Sequence, residues 1–132
     1  TKLRRVLAVH EADALVGRRI LLLGDDDLTS LALAGMVRRF GSGASVARLA
    51  VIDVDRAVVE VVREGLAGAA FPTSCVEHDL REPLPSALRH SFDTILTDPP
   101  YTPAGAALFL SRAAEALTAP GGAVPATTHP AP

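Results

Sequence analysis

The sequence predicts an α/β domain built around a parallel, doubly wound β-sheet. Short apolar runs alternate along the chain with segments of helical periodicity. Each apolar run is followed closely by glycine, aspartate or proline, residues that favour turns. Strands that alternate with helices in this way are typical of βαβ units, whose strands are parallel. No internal repeat is present.

The first part of the chain predicts two helices around one strand. Residues 3–15 space their apolar side chains on one helical face. The run RILLLG (19–24) is continuously apolar and ends at glycine, as a buried parallel strand does. Residues 28–40 predict a helix, for which Asp27 is a suitable N-cap and Gly41 a suitable stop.

The second part continues the alternation of strand and helix. Residues 45–55 become β-branched and apolar toward their end and predict the second strand. Residues 56–68 predict a helix because their valines and a leucine form one stripe. Residues 74–80 predict a short third strand. Residues 92–101 predict a fourth strand stopped by two prolines, and residues 104–118 predict the last helix.

The end of the chain departs from this pattern. Residues 120–132 carry four prolines and no strand-like run, so we expect a disordered or rearranged tail. An α/β sheet of this type should continue past Gly121 and Gly122 with another strand. We therefore assign residues 1–119 to one Rossmann-like domain, which forms the N-terminal part of a larger fold.

Composition narrows the class of protein. A chain of 132 residues that is 48% hydrophobic and 21% charged is globular rather than disordered. A net charge of −2 does not predict nucleic-acid binding, which usually needs a basic face. The single Cys75 excludes an internal disulfide and a cysteine-based zinc site. Without an apolar run near 18 residues or a signal peptide, we expect a cytoplasmic protein that does not contact the membrane.

Seven of the fifteen acidic residues lie at or just past the predicted carboxyl ends of strands. That edge is where open parallel sheets bind ligands. Aspartate also favours turns and helix N-caps, which occur on the same edge, so capping is the alternative interpretation, above all for Asp27 and Asp55. The seven residues are Asp25, Asp26, Asp27, Asp53, Asp55, Asp79 and Asp98.

Two of these carboxylates have positions suited to a nucleoside. Asp53 ends the second strand, one helix after Gly24, where a carboxylate accepts both ribose hydroxyls. Asp79 follows the third strand, where an acceptor can meet an adenine amino group. His78, beside it, is better interpreted as a structural residue than as a catalytic one.

The motif DPPY (98–101) indicates an amine site. Two prolines after a buried strand fix the backbone and hold the Asp98 carboxylate and nearby carbonyls in place. Tyr101, the only tyrosine, adds a flat ring. Such acceptors bind the N–H groups of an amine while its lone pair faces an electrophile. The alternative is a simple Pro-Pro turn with an exposed tyrosine.

Together these segments resemble the S-adenosylmethionine-dependent methyltransferase fold. Within it, GDDDLTSLAL, VIDVDRAVVEVV, HDLREPLP and FDTILTDPPYTPAGAALFLSRAAEAL closely resemble the bis-aminopropyl spermidine synthases over residues 15–118. The resemblance implies a transferase that moves an aminopropyl group from decarboxylated S-adenosylmethionine to a nitrogen of a polyamine such as spermidine.

The resemblance also implies roles for individual residues, position by position. Cosubstrate contacts would come from Gly24, Asp25 and Asp26, with Asp53 on the ribose and Asp79 on the adenine. The polyamine would be bound by Asp26, Asp27, Asp98, Pro100 and Tyr101. The residues that would act on the attacking amine are Asp98, Pro99 and Tyr101.

The three successive aspartates at 25–27 suit the charge of these ligands. Decarboxylated S-adenosylmethionine keeps its sulfonium and amine but has lost its carboxylate, and polyamines are polycations because their amines resemble lysine. A loop with three carboxylates would attract both and repel S-adenosylmethionine itself. A calcium loop is the other interpretation, but DDDLTS lacks the alternating ligand spacing that calcium needs, so we expect no metal.

Two other functions remain open. The first is an S-adenosylmethionine-dependent amino-group methyltransferase, because D-P-P-Y also serves enzymes that methylate base amines. The second is a non-catalytic fragment that keeps the nucleoside pocket. By analogy with the fold, the sheet order should be third, second, first, fourth. Strand 93–97 would then be an apolar edge, covered by the tail or by a second copy of the chain in a homo-oligomer.

Overall fold

One parallel sheet forms the centre of the molecule. The computed structural model describes residues 17–40, 46–118 and 127–128. The strands run in the order β3-β2-β1-β4-β5, and all pair in parallel. The fold class and the order of the first four strands are therefore as the sequence predicted. The strands are β1 (Arg19–Leu23), β2 (Arg48–Asp53), β3 (Thr73–Glu77), β4 (Thr94–Thr97) and β5 (Thr127–Thr128).

Three helices connect these strands: α1 (Thr29–Phe40), α2 (Arg56–Leu66) and α3 (Pro103–Ala116). A short 3₁₀ helix lies at Ser86–Leu88. All three predicted helices in this part of the chain are present, with shifts of one or two residues at their ends. The helix predicted at residues 3–15 lies outside the described residues.

Local sequence accounts for where two of the helices begin. Asp55 precedes α2, and its carboxylate accepts the backbone N–H of Ala57 at 2.8 Å. Thr102 precedes α3, and its hydroxyl accepts the N–H of Gly105 at 3.0 Å. Pro103 then fills the first helical position, where its missing N–H costs nothing. The capping interpretation of Asp55 is therefore correct.

The sheet is buried on both faces, which explains why its central strands are continuously apolar. In β1, Ile20 and Leu22 belong to the core layer beneath α1 and α2. Leu21 and Leu23 point to the opposite layer, which α3 covers. A side-chain period of two divides each strand between the two layers. The helices leave the carboxyl ends of the strands open, at the edge where a cavity lies.

The free side of β4 is partly covered by the chain itself. Thr127 and Thr128 pair in parallel with Leu96 and Thr97. The sequence showed no strand-like run here, so the strand itself was not predicted, but for these two residues the tail is rearranged onto the edge of β4, one of the two expected ways of covering it. The formation of β5 depends on pairing with β4 rather than on local pattern. The rest of the predicted tail lies outside the described residues, and the domain boundary at residue 119 stays a prediction.

Across the described residues, no helix combines the length and the apolar character needed to cross a membrane.

Candidate functional site

A cavity of about 550 Å³ opens at the carboxyl edge of the sheet. This volume lies in the range of small-molecule binding sites. Its floor is apolar and is formed by strand ends, the loop after β3 and α3: Leu22, Ile52, Leu80, Leu96, Leu108 and Phe109. Its polar rim carries five carboxylates: Asp26, Asp27, Asp53, Asp79 and Asp98.

The structure brings together most of the residues that the sequence singled out. Those that line the cavity are Gly24, Asp26, Asp27, Asp53, Asp79, Asp98 and Pro100. Three others, Asp25, Pro99 and Tyr101, are not among its lining residues in the described part of the chain.

Asp53 is held at the cavity by two backbone donors. Its Oδ2 accepts the N–H of Asp25 at 2.9 Å, and its Oδ1 accepts the N–H of Asp55 at 2.9 Å. A carboxylate has about four acceptor positions, so each oxygen can accept a further hydrogen bond. The side chain is 9% exposed. Asp53 is therefore held in place with acceptor positions left on both oxygens.

Gly24 allows the chain to turn closely beside Asp53. Its φ is 81°, in the left-handed region, and its N–H donates to the Ile52 carbonyl at 2.7 Å. A Cβ at this position would lie 4.0 Å from Asp53 Oδ2 and from Phe109 Cε2. Glycine is needed here for its backbone conformation, and the space beside it stays open toward the cavity.

The three successive aspartates point in different directions. Asp26 is exposed and lines the cavity, and Asp27 lines it as well while accepting the Thr29 hydroxyl at 2.9 Å. Asp25 is 1% exposed, and its oxygens accept the Ser30 N–H at 3.2 and 3.3 Å as well as the Ser30 hydroxyl. Asp25 therefore binds the first turn of α1, a role that the sequence analysis gave to Asp27.

Burial makes Asp25 unusual among the carboxylates. Desolvation raises its pKa to about 6, although the hydrogen bonds from Ser30 oppose the rise. Its backbone N–H is also one of the two donors that hold Asp53. Asp25 therefore contacts the cavity residue Asp53 through its backbone N–H, while its own carboxylate is buried.

Leu28 completes the turn between β1 and α1 in a strained conformation. Its φ is 59°, and its N–H donates to the Asp25 carbonyl at 2.9 Å. A left-handed residue other than glycine costs about 1–2 kcal/mol. The same conformation delays the start of α1 to Thr29, one residue later than predicted. The turn holds Asp26 and Asp27 at the cavity.

Asp79 is paired with Arg81, a partner that the sequence analysis missed. Both Asp79 oxygens accept from the Arg81 Nε, at 3.1 and 2.9 Å, and Oδ1 also accepts the Arg81 N–H at 2.9 Å. These hydrogen bonds lower the pKa of Asp79 to about 2. Asp79 therefore stays ionised while Arg81 adds the cation at this wall. The spacing of two residues between Asp79 and Arg81 was the sequence feature that could have predicted this pair.

His78 connects this wall to Asp53. Its backbone N–H donates to the Asp53 carbonyl at 2.9 Å, and its ring Nε2 lies 3.3 Å from the Glu82 carbonyl oxygen. The ring also lines the cavity. These contacts are structural ones.

The Asp-Pro-Pro-Tyr segment begins directly after β4. Asp98 and Pro100 line the cavity, whereas Tyr101 is 65% exposed. The preceding residue, Thr97, is buried, and its hydroxyl donates to the Leu23 carbonyl at 3.3 Å. The carboxylate is thus placed by two paired strands. The tyrosine ring is not brought to the same point as the carboxylate.

Helix α3 supplies residues that sequence reasoning did not include. Leu108 and Phe109 line the floor of the cavity. They lie about two turns into a helix that begins just after the Asp98 segment. Only this helical spacing could have indicated from the sequence that they line the cavity. Within residues 17–40 and 46–118, no three metal-ligating side chains are grouped so that they could hold a metal ion.

Comparison with protein families gives a match over nearly the whole chain. The model of the branched-chain polyamine synthase A C-terminal domain matches residues 1–131. The N(4)-bis(aminopropyl)spermidine synthase of Thermus thermophilus is 37% identical over 121 residues, which cover 90% of this chain and 33% of that protein. The enzyme of the same name from Thermococcus kodakarensis is 33% identical, with 92% and 33% coverage. The chain thus spans about a third of the length of these curated relatives.

Solved structures agree with this match. The branched-chain polyamine synthase of Thermus thermophilus, in complex with N4-aminopropylspermidine and 5′-methylthioadenosine, aligns with a TM-score of 0.77 and 37% identity. The alignment covers 88% of this chain and 32% of that one. An S-adenosylmethionine-dependent methyltransferase from Mesorhizobium loti aligns with a TM-score of 0.56 at 24% identity, covering 92% and 49%. This second likeness shows the fold alone.

Proposed function

The chain belongs to the branched-chain polyamine synthase A C-terminal domain family, and we propose that it forms the nucleoside-binding part of an aminopropyltransferase. The reaction would move an aminopropyl group from decarboxylated S-adenosylmethionine to a nitrogen of a polyamine such as spermidine. A relative binds N4-aminopropylspermidine and 5′-methylthioadenosine, a product pair that fits this reaction. We also propose a cytoplasmic location, because the single Cys75 is free.

The observation that carries the proposal is the charge and shape of the cavity. Five carboxylates surround an apolar floor, and within the described part of the chain Arg81, already paired with Asp79, is the only arginine or lysine among the lining residues. The apolar floor suits an adenine ring and a thioether, and the acidic rim suits a sulfonium and protonated amines. Both proposed ligands are cationic, so the rim attracts them.

The proposed chemistry needs positioning more than it needs a covalent enzyme intermediate. The lone pair of the polyamine nitrogen attacks the aminopropyl carbon bonded to sulfur, and a C–N bond forms. The C–S bond breaks with its electron pair going to sulfur, which turns the cationic sulfonium into neutral 5′-methylthioadenosine. The nitrogen then loses one proton. Correct placement of the two reactants supplies much of the acceleration in such a reaction.

Asp53 and Asp98 have different tasks in this proposal. Asp53, held by two backbone donors, would accept the ribose hydroxyls. Asp98, at the end of β4, would orient the attacking amine through its N–H groups. A carboxylate beside an ammonium raises the pKa of that ammonium, whereas the attacking nitrogen must be neutral. Its proton would therefore pass to water or to another rim carboxylate.

An amino-group methyltransferase is the second candidate, because the fold is shared with an S-adenosylmethionine-dependent methyltransferase and the Asp-Pro-Pro-Tyr segment suits an amine. Titration of the purified chain with S-adenosylmethionine and its decarboxylated form, followed by assays with spermidine and with a base amine as acceptors, separates the candidates. Aminopropyl transfer supports the proposal, and methyl transfer to a base amine supports the second. Binding without any transfer would assign this third of the protein to nucleoside binding alone.

Replacing Asp98 tests the amine site. We expect Asp98→Asn to lower turnover by roughly 10²-fold or more, the scale of positioned polar catalysis, while cosubstrate affinity changes little. Turnover with spermidine and calorimetric titration with decarboxylated S-adenosylmethionine measure the two effects. An equal loss of cosubstrate affinity would move Asp98 to the nucleoside site.

Replacing Asp26 tests whether the rim selects the cosubstrate by charge. A carboxylate about 5 Å from Asp26 meets a repulsion on the order of 3 kcal/mol at an effective dielectric near 20, before screening. After screening we expect the wild type to prefer the decarboxylated cosubstrate by roughly 10- to 100-fold. In Asp26→Asn the two affinities should converge. Asp25→Asn is the matched control, because its carboxylate points away from the cavity. Wild-type preference for S-adenosylmethionine would contradict the charge argument.

A further inference from the structure

The wall of the cavity that carries Asp79 is a loop, and two side chains of α3 hold it. Arg112 Nε donates to the Leu80 carbonyl at 2.8 Å, and Arg112 Nη2 donates to the Arg81 carbonyl at 3.4 Å. Leu80 and Arg81 both line the cavity. A buried loop carbonyl needs a donor, and here the donor comes from a residue about thirty positions along the chain.

Glu115 completes this attachment. Its Oε1 accepts the Leu84 N–H at 3.2 Å, and its Oε2 pairs with Arg112 Nη1. The Arg112 side chain is 15% exposed and that of Glu115 is 26% exposed, so solvent screens the pair less than a surface ion pair. Burial would raise the pKa of Glu115, but hydrogen bonds from Arg112 and Leu84 lower it below its usual range. The pair is therefore ionised and bonded to both ends of the loop.

The same helix also contacts the opposite wall of the cavity. Its N-terminal turn packs against the Asp98 segment, since a Cβ at Gly105 would lie 2.8 Å from Pro100 Cβ. Leu108 and Phe109 follow and line the floor. Leu108, Arg112 and Glu115 are spaced along one helical stripe. One rigid element thus spans from the segment proposed to hold the amine to the loop proposed to hold the adenine.

We infer that Arg112 and Glu115 are positioning residues that set the nucleoside wall relative to the amine site. The ligand named here rests on the proposed function, whereas the attachment of the loop rests on the hydrogen bonds alone. Because reacting groups must meet within about 3.5 Å, a wall that shifts by 1 Å changes transfer strongly. Fixing the loop to the helix that packs against the Asp98 segment prevents such shifts.

The test compares Arg112→Gln with Arg63→Gln in the full chain. Arg63 is a matched control, because it also lies on a helix and donates to a strand carbonyl. Its hydrogen bond to the Cys75 carbonyl is 3.0 Å long, and Arg63 does not line the cavity. For Arg112→Gln we expect the Kd for 5′-methylthioadenosine to rise about 10-fold, and for the control less than about 2-fold. Amide exchange should accelerate over residues 79–84 and not across the sheet.

The outcomes separate this inference from the proposed function. Unchanged exchange at residues 79–84 in Arg112→Gln, an equal rise in exchange throughout the chain, or a Kd for 5′-methylthioadenosine no higher than that of Arg63→Gln would overturn the positioning role. If the wild type binds neither 5′-methylthioadenosine nor decarboxylated S-adenosylmethionine, the proposed function fails, but the exchange measurement still decides the attachment. If Arg112→Gln does not fold, Arg112→Lys keeps the charge with fewer donors and should exchange faster than the wild type at the same residues. Wild-type exchange in Arg112→Lys would contradict the inference.

Discussion

At the scale of single residues, Asp25 shows what a buried carboxylate does beside a ligand site. Its oxygens bind Ser30 at the start of α1, and its N–H holds Asp53. Burial raises its pKa to about 6, so near neutral pH the domain carries an ionised group in a costly environment. Such perturbed groups concentrate at functional sites because geometry there is set by ligand binding as well as by stability.

The raised pKa of Asp25 predicts a pH dependence of stability. In the folded state Asp25 binds a proton below about pH 6, whereas in the unfolded state it binds one only near its ordinary pKa of 3.8. The free energy of unfolding contributed by Asp25 therefore rises as the pH falls from 6 to 4. The full effect is up to about 3 kcal/mol, at about 1.4 kcal/mol per pKa unit. We expect Asp25→Asn to be more stable than the wild type at pH 7 and equal to it near pH 4.

Urea unfolding at several pH values measures this difference. Three other carboxyl groups have lowered pKa values, which act in the opposite sense at lower pH: Asp79, Glu115 and Asp93, which pairs with Arg19. Subtracting the mutant from the wild type removes their contributions to the free energy of unfolding. Asp26→Asn changes an exposed carboxylate of the same loop and serves as the control. A constant difference between pH 4 and pH 7 would show that Asp25 is not buried in this way.

At the scale of elements, α3 matters most to the site because its length spans the cavity. Its start is fixed by Thr102 and Pro103, directly after the Asp98 segment. Its first turn is tightly packed, since Gly105 approaches both Pro100 and Thr102. The close approach allows the turn after β4 to fold back onto the helix.

Gly105→Ala tests this close approach. The new Cβ would lie 2.8 Å from Pro100 Cβ and 2.8 Å from Thr102 Oγ1, and both neighbours are rigid. We expect a loss of about 1–3 kcal/mol in the free energy of unfolding, because overpacking outweighs the gain in helix propensity. Gly35→Ala in α1 is the matched control. It has no atom within 4 Å of the added Cβ and should be neutral or gain up to about 1 kcal/mol.

Chemical denaturation of both glycine variants gives the comparison. Amine binding should also weaken in Gly105→Ala, because the displaced turn carries Pro100, a cavity residue. Equal stability of the two variants would mean that the turn yields without cost.

At the scale of the whole molecule, the apolar strand β4 lies next to the edge of the sheet, where only the two-residue β5 follows it. Ile95 and Leu96 of β4 are buried, and β5 pairs with the last two residues of that strand. Open strand edges favour pairing with other chains. The predicted homo-oligomer would use this edge, so the tail and a second copy of the chain compete for the same hydrogen-bonding groups.

Shortening the chain tests this competition. A chain ending at residue 126 lacks β5, whereas a chain ending at residue 128 keeps it and is the control. We expect the shorter chain to show amide exchange in β4 faster by about 10-fold or more and to self-associate. Hydrogen exchange and light scattering measure the two effects. Identical behaviour of both chains would show that β5 does not protect the edge.

The sequence by itself determined the fold class, the strand order expected of that class and the presence of acidic residues on one edge. These follow from local patterns: β1 and β2 are apolar on both faces, and each ends in the short turn that carries aspartate. Asp53 lies at the cavity because it directly ends a strand, and the direction of a strand end is set by the sheet.

Only the tertiary structure decided which acidic side chains face the ligand. The turn from β1 to α1 contains the left-handed Leu28, and within it Asp25 is buried while Asp26 lies at the cavity, a difference that residue order does not encode. Tyr101 is exposed, two residues before the start of α3. The contact from Arg112 to Leu80 joins residues 32 positions apart. Side-chain direction in tight turns and contacts between distant segments depend on packing of the whole chain, so no local pattern reveals them.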